Sequence, residues 1–305
     1  MVKVSIVLVS YNTCKLTLDT ISSIYKETKN LDFEIILVDN DSKDNTVKEV
    51  ETDYKLVKVI KNNINAGFGS ANNIGVKYAS GEYIFLLNTD TILLNNAVKI
   101  LSDYLDVNKD VVASAGNLYD QKKNPATSYS KLFPSLASEL NQLFFNFTAL
   151  FHRFNAHFNY SDKPIKFKGS LSGADAMIRK DIFNLVGGFD EDFFLYYEET
   201  ELFYRMTNLG HYVASVPDAK IIHLEGASES VKNITLKRSL TSKYIYLDKH
   251  STLIKIVIHH ILFNLTAISR ALIFSLKGDA KRTQFWNTLR NIEKEVYAEF
   301  NRKVR

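Results

Sequence analysis

The chain has 305 residues, 46% of them hydrophobic and 24% charged, and carries a net charge of +4. This is the composition of a soluble globular protein without low-complexity tracts, long enough for one large α/β domain with an appendage or for two small domains. Its single cysteine, Cys14, excludes an internal disulfide and suits a reducing compartment. The charge is unevenly shared. Over residues 232–305 fifteen Lys/Arg stand against five Asp/Glu, a net of +10, which leaves −6 for the rest. An acidic body with a basic tail points to a tail that meets phosphates or anionic lipid.

The first strand begins within a few residues of Met1, so we expect no signal peptide. Residues 4–9 read as a buried strand, closed by Ser10-Tyr11-Asn12. A helix follows to about Tyr25, with Leu16, Ile21 and Ile24 on one side. Residues 33–38 form the next strand, ending in Asp39-Asn40-Asp41-Ser42, and residues 43–46 lead into a second helix. Residues 57–60 are a third strand, and the stretch from Asn65 to Gly75 opens a third helix. Tyr83, Ile84, Phe85, Leu86 and Leu87 make a fourth strand, which runs straight into Asn88-Thr89-Asp90. Alternating strands and helices mean a parallel sheet. Right-handed crossovers then gather the polar strand ends on one edge, where such sheets bind ligands. An Asp there is suited to a hard cation that neutralises a diphosphate, although Asn and Asp are also ordinary turn and cap residues. Gly67-Phe68-Gly69 is not a dinucleotide fingerprint, because Asn72 stands where the third glycine belongs, and no phosphate-binding loop with Gly-Lys-Ser/Thr occurs.

Further on, Leu136, Leu140, Leu143, Phe144, Phe147, Leu150, Phe151, Phe154 and Phe158 recur at helical spacing. This predicts an amphipathic helix or two, either packed on the sheet or forming a shelf for a lipid-linked acceptor. Leu253–Leu276 is rich in Ile, Leu and Phe but carries Lys255, His259, His260, Asn264 and Arg270. Those groups disfavour a membrane span. An in-plane amphipathic helix fits better, with a packed helical hairpin or a dimer interface as the alternatives. Lys277-Gly278-Asp279 reads as the turn into a last helix. Nucleic acid is a poor partner for an acidic body without a binding motif.

Four motifs come in one order: Ser5-Ile6-Val7 with Ser10-Tyr11-Asn12; Val38-Asp39-Asn40-Asp41-Ser42; Asn65-Ala66-Gly67-Phe68 with Asn72-Asn73-Ile74-Gly75; and Leu86-Leu87-Asn88-Thr89-Asp90. Together they resemble the N-terminal half of glycosyltransferase family 2. Gly173-Ala174-Asp175-Ala176-Met177-Ile178-Arg179, Phe183, Gly187-Gly188-Phe189-Asp190-Glu191 and the run from Phe193 through Glu198-Glu199 to Glu201, with Arg205 and Gly210, resemble its second half. Asn-x-Asp at Asn88–Asp90, in place of the commoner Asp-x-Asp, is similar to the rhamnosyltransferase-like branch. The family usually reads Glu-Asp where this chain has Glu198-Glu199, which lengthens the second acid by one methylene.

The resemblance implies a GT-A (Rossmann-like) α/β fold, a mostly parallel sheet flanked by helices, over residues 1–230. Residues 1–115 would form the nucleotide half and 116–230 the acceptor half; beyond the resemblance, residues 231–305 read as a basic, amphipathic helical appendage. It implies inverting, metal-dependent transfer from a dTDP- or UDP-sugar, dTDP-rhamnose for example, to a glycan or lipid-linked saccharide of bacterial surface polysaccharide. Mg²⁺ or Mn²⁺ would bind Asp90 and His223, with Asn88 contributing at most a neutral oxygen. Glu199 would be the catalytic base and Glu198 its rival; the aromatic run before them supplies an apolar wall to raise a carboxylate pKa. Tyr11 would stack on a pyrimidine and Asp39 accept its imide N–H, with Ser10, Asn12, Asn40, Asp41, Asn65, Gly67, Asn72 and Thr89 around the donor. The expected location is cytoplasmic, peripheral on the inner face of the membrane, with oligomeric state open. Two other classes stand beside this one. One is a non-catalytic nucleotide-sugar-binding or membrane-scaffold protein. The other is a nucleotidyltransferase, which needs a Gly-rich basic loop where Ser10-Tyr11-Asn12-Thr13 stands.

Overall fold

The computed structural model describes residues 2–145, 161–224 and 233–304. The described residues fall into two compact units. One lies within Met1–Lys131, His157–Phe194 and Glu198–Ser228, the other within Leu132–Ala156, Leu195–Tyr197 and Glu229–Arg305.

The first unit is built on a nine-stranded sheet. β1 (Val4–Ser10), β2 (Phe33–Asp39), β3 (Lys58–Lys61) and β4 (Tyr83–Asn88) alternate with α1 (Cys14–Glu27), α2 (Thr46–Asp53) and α3 (Phe68–Lys77). These are the four strands the pattern predicts, all parallel, in the order β3-β2-β1-β4. Ile6, Leu8, Phe85 and Leu87 join the large core cluster on one face, while Val7, Ile84 and Leu86 are equally buried on the other. Burial on both faces is why these strands read as unbroken apolar runs. Because β1 has β2 on one side and β4 on the other, the crossover direction reverses there. Such a switch point opens a crevice at the strands' carboxyl ends.

Beyond β4 the sheet becomes mixed. The elements that follow are β5 (Thr91–Leu93), α4 (Ala97–Val107), β6 (Val111–Tyr119), β7 (Tyr129–Ser130), α5 (Leu136–Leu143), β8 (Ile165–Phe167) and β9 (Ser170–Leu171), then β10 (Asp175–Arg179), α6 (Lys180–Leu185), α7 (Glu198–Asn208) and β11 (Tyr212–His223). β10 inserts antiparallel between β4 and β6, β11 lies parallel to β6, and β5 and β8 pair antiparallel with opposite ends of β11. β7 and β9 form a separate ribbon. β11 changes register between Ser215 and Lys220. Pro217 lies in that interval and cannot donate to the ladder.

α5 belongs to the second unit, with α8 (Asn233–His250), α9 (Leu253–Leu276) and α10 (Ala280–Val304). Of the predicted aromatic stripe, Phe147, Leu150, Phe151, Phe154 and Phe158 lie outside the described residues. On α5 the buried residue is Glu139, while Leu140 and Phe144 are exposed. Glu139 is held by Lys243 and lies 3.4 Å from His259. Glu293 accepts from the Tyr244 hydroxyl and from Asn264 Nδ2 (2.7 Å), and lies 2.9 Å from His260 Nδ1. Two buried carboxylates therefore tie the four helices together. The turn at Lys277-Gly278-Asp279 forms as read, with Gly278 at φ +71°.

Gly67, at φ +85°, starts α3 against the backbone of Phe194, whose carbonyl accepts the Phe68 N–H at 3.0 Å. A Cβ on Gly67 would lie 2.3 Å from that carbonyl oxygen, whereas one on Gly187, at φ +83°, would meet nothing within 4 Å. Gly67→Ala should therefore cost about 2–5 kcal/mol, from backbone strain plus a backbone clash. Gly187→Ala should cost only the strain, about 1–2 kcal/mol. Urea unfolding of the two variants side by side checks the difference.

Candidate active site

Three adjacent strand ends share one level of the sheet. Ser10 pairs with Asp39, and Val9 with Asn88. The donor loops read from the sequence therefore converge on the switch-point crevice. Tyr11 is half exposed, leaving its ring open to a flat partner. Asn12 sits at φ +55°; its N–H donates to Ser42 Oγ (3.0 Å) and its Oδ1 accepts the Lys43 N–H (2.6 Å). Asp41, at φ +69°, pairs with Lys43 Nζ at 2.6 Å. Asp39 is buried. Its Oδ2 accepts the Ser42 N–H at 3.1 Å, and its Oδ1 has no protein partner. An unfilled buried acceptor of this kind costs about 1–3 kcal/mol or more, and an incoming N–H donor removes the cost.

Other predicted residues turn inward and build the crevice. Ser10 Oγ lies 3.0 Å from Thr13 Oγ1 and 3.1 Å from Thr17 Oγ1. Thr89 Oγ1 donates to the Val9 carbonyl at 3.3 Å, and the Thr89 carbonyl accepts from Thr20 Oγ1 at 2.9 Å. Asn40 accepts from Asn62 Nδ2 and the Ala66 N–H, both at 3.1 Å, and donates to Asn65 Oδ1 at 2.8 Å. Asn65 Oδ1 also accepts the Gly67 N–H at 3.1 Å. The asparagines thus fold the loop ahead of α3. Asn72 is buried, and its amide donates to the Phe68 carbonyl one helical turn back (3.0 Å).

At the end of β4, Asp90 and His223 meet. His223 Nε2 lies 3.3 Å from Asp90 Oδ1, and both side chains are mostly buried. Asn88 Nδ2 lies 3.5 Å from the same ring nitrogen, and Asn88 Oδ1 is buried without a partner. The antiparallel pairing of β11 with β5 carries His223 here, opposite Thr91. A carboxylate and an imidazole converging at this strand end form a donor pair suited to Mg²⁺ or Mn²⁺. Among the described residues no third His, Cys, Asp or Glu joins them.

The two glutamates begin α7, where acidic side chains favour the helix's positive end. They point differently. Glu198 is buried, with its Cβ 3.5 Å from where a Cβ on Gly69 would lie, and its Oε2 has no partner. Glu199 is only partly buried and leans over the turn before β10, with its Cβ and Cγ 3.7 Å from a Cβ placed on Gly173. The next residue, Ala174, accepts the Asn88 N–H through its carbonyl at 3.0 Å. Glu199 therefore lies over the turn whose next residue bonds the end of β4. Burial raises the pKa of Glu199, against the helix-start N–H groups of Glu199 and Thr200. Burial and then the Glu199 charge raise that of Glu198 further.

Three residues given no role from the sequence shape this site. Asn73 holds the loop before α7: its Nδ2 donates to the Phe189 carbonyl and its Oδ1 accepts the Phe189 N–H, both at 2.8 Å. Arg205 donates to both Glu201 carboxylate oxygens at 2.8 Å and to the Gly188 carbonyl at 2.7 Å. The spacing of Glu201 and Arg205, one turn apart on a helix, was the available signal. Asp175 is fully buried; its Oδ2 accepts the Gly116 N–H at 2.7 Å and its Oδ1 has no partner. A carboxylate opening an apolar strand was the only sign of it.

The architecture and this crevice together define a GT-A glycosyltransferase. Among solved structures, the chain superposes on a mannosyltransferase, PcManGT from Pyrobaculum calidifontis in complex with GDP-Man and Mn²⁺, with a TM-score of 0.62 over 98% of this chain and 86% of that one, at 14% identity. The sequence model for glycosyl transferase family 2 matches residues 5–184, more than half of the chain, and the protein belongs to that family. It is 29% identical over 229 residues to the dTDP-rhamnosyl transferase RfbF of Shigella flexneri, covering 74% of this chain and 70% of that protein. It is 36% identical over 98 residues to the UDP-Glc:alpha-D-GlcNAc-diphosphoundecaprenol beta-1,3-glucosyltransferase WfgD of Escherichia coli, a match spanning 32% of this chain and 38% of WfgD.

Burial pushes the Asp175 carboxyl up to about 7, against the pull of the Gly116 N–H and the charge of His223. The folded chain then holds this proton more tightly than the unfolded chain does. Its contribution to stability falls as pH rises from about 4 toward that value. Asp175→Asn removes the titration. The stability of Asp175→Asn relative to the parent chain should therefore be about 2–3 kcal/mol more favourable at pH 8 than at pH 5, read from urea midpoints.

Proposed function

We propose that this glycosyltransferase moves a sugar from a pyrimidine nucleoside diphosphate, with inversion, to a hydroxyl of a lipid-linked saccharide. The observation that carries the reading is the link from Glu199 over Gly173-Ala174 to Asn88. It puts a carboxylate of raised pKa over the turn that is bonded to the end of β4. The half-exposed Tyr11 ring and the unfilled Asp39 Oδ1 suit a base with a flat face and an N–H, as uracil and thymine have. A dTDP-deoxyhexose such as dTDP-rhamnose is the donor favoured by the similarity to RfbF. A lipid-linked acceptor, as in the name of WfgD, would bring the reaction to a membrane surface.

Asp90 and His223 fit a divalent cation: one hard anionic oxygen and one imidazole nitrogen. When bound there, Mg²⁺ or Mn²⁺ supplies charge neutralisation for the diphosphate leaving group. The chain's own groups do the rest. Tyr11 and Asp39 hold the base. Glu199 takes the proton from the acceptor hydroxyl as its oxygen bonds to the anomeric carbon, while the bond to the diphosphate oxygen breaks on the opposite face. Glu198, buried next to it, has its carboxyl pushed well above the ordinary range by burial and by the Glu199 charge, which disfavours a second charge near the incoming diphosphate.

Glu199→Gln should keep nucleotide-sugar binding, read by calorimetry, and lower kcat by about 10²–10⁴. Full activity in that variant would move the base elsewhere. Because the Glu199 pKa is raised, the parent rate should fall on the acid side at a higher pH than an ordinary glutamate of about 4.3 would give. Asp90→Ala and chelation should each weaken donor binding, and unchanged binding in both would remove the metal from the account.

A further inference from the structure

We infer that the outward face of α9 is a docking surface for an anionic lipid bilayer, with the helix lying in the membrane plane. Ile254, Ile258, Ile261, Leu265, Ile268 and Leu272 follow one another at steps of four and three, and each is between 36% and 74% exposed. Spacing of that kind places them in one row along the helix. A continuous exposed row of large aliphatic side chains is a contact surface rather than ordinary surface variation. The helix as a whole contains no Asp or Glu, and Lys255 near its start and Lys277 just past its end are both exposed. Lys281 and Arg282 follow on the exposed first turn of α10, Arg282 3.4 Å from Asp279.

Charge selects the partner. A second copy of α9 laid along the row would bring Lys255 against Lys255 if parallel, or against Lys277 if antiparallel. With no acidic side chain on the helix, like charges meet in either orientation. Phosphate headgroups complement both ends at once, while the aliphatic row enters the acyl boundary.

The inner face of α9 decides the orientation. There His259 faces Glu139, and His260 and Asn264 face Glu293. A transmembrane position would drag these carboxylates and their partners into hydrocarbon. In the plane they stay within the protein and the aliphatic row alone is immersed. By length and composition the helix could cross a membrane; its packed polar side is what holds it flat.

This inference deepens the reading of a lipid-linked acceptor, but its test needs no turnover. The full chain is floated with vesicles of phosphatidylcholine alone and with about 30% phosphatidylglycerol, beside the double variant Ile261→Asp with Leu265→Asp. Circular dichroism and melting temperature confirm that the variant folds, and Lys277→Glu with Lys281→Glu is a second, milder probe. The parent should bind the anionic vesicles at least about tenfold more tightly than the neutral ones, and the aspartate variant should lose at least about tenfold of that binding. Sedimentation without lipid should show no self-association that the variant abolishes. Vesicle binding unchanged in both variants would overturn the inference, as would a lipid-free dimer that the aspartates dissociate. Nucleotide-sugar binding, measured on the same samples, separates this outcome from a failure of the proposed activity.

Discussion

The hydrogen bond from the Asn88 N–H to the Ala174 carbonyl is the contact on which the rest of the site depends. It extends the antiparallel pairing of β10 with β4 by one rung past Asp175–Leu87. That rung joins the parallel strands of the donor side to the segments that follow. Gly173, the residue before Ala174, lies against Glu199 at the start of α7. β11 makes a matching connection on its own account, pairing with β5 so that His223 returns to Asp90. Two antiparallel contacts in a mixed sheet thus bring distant parts of the chain to the end of β4.

That frame is stable enough to carry groups that weaken it. Asp39 Oδ1, Asn88 Oδ1, Asp175 Oδ1 and Glu198 Oε2 are all buried without partners. Nearly all buried polar atoms in folded proteins are satisfied, and the first three of these exceptions lie at strand ends that border the crevice. Fully buried apolar strands on either side offset the cost. Rigidity around the site comes from paired side chains instead: Asn73 on the Phe189 backbone, Arg205 on Glu201 and Gly188, and Asn40 with Asn65 in the loop before α3.

Much of this was legible in the sequence. The four parallel strands announced themselves because burial on both faces demands unbroken apolar runs. Their polar ends fell where a switch point puts ligands, so Asp39, Asn88 and Asp90 stood out. β10 and β11 did not. β10 is short and opens with a charged residue, and β11 carries Pro217, Asp218 and Lys220, so neither has a clean period. Asn73 and Asp175 escaped for a different reason. Their partners, Phe189 and Gly116, lie far away in sequence, and pairing across such distances is a property of the fold. The expected aromatic stripe was misleading at α5, where Glu139 takes the buried position because Lys243 and His259 await it.

In the proposed reaction Asp90 and His223 hold the cation beneath a nucleoside diphosphate whose sugar faces Glu199. Crystals grown with Mn²⁺ and a pyrimidine nucleoside diphosphate, measured at the manganese absorption edge, test it directly. One anomalous peak is expected, in contact with the Asp90 carboxylate, His223 Nε2 and diphosphate oxygens. A nucleotide bound in the crevice with the peak elsewhere, or with none, would contradict it.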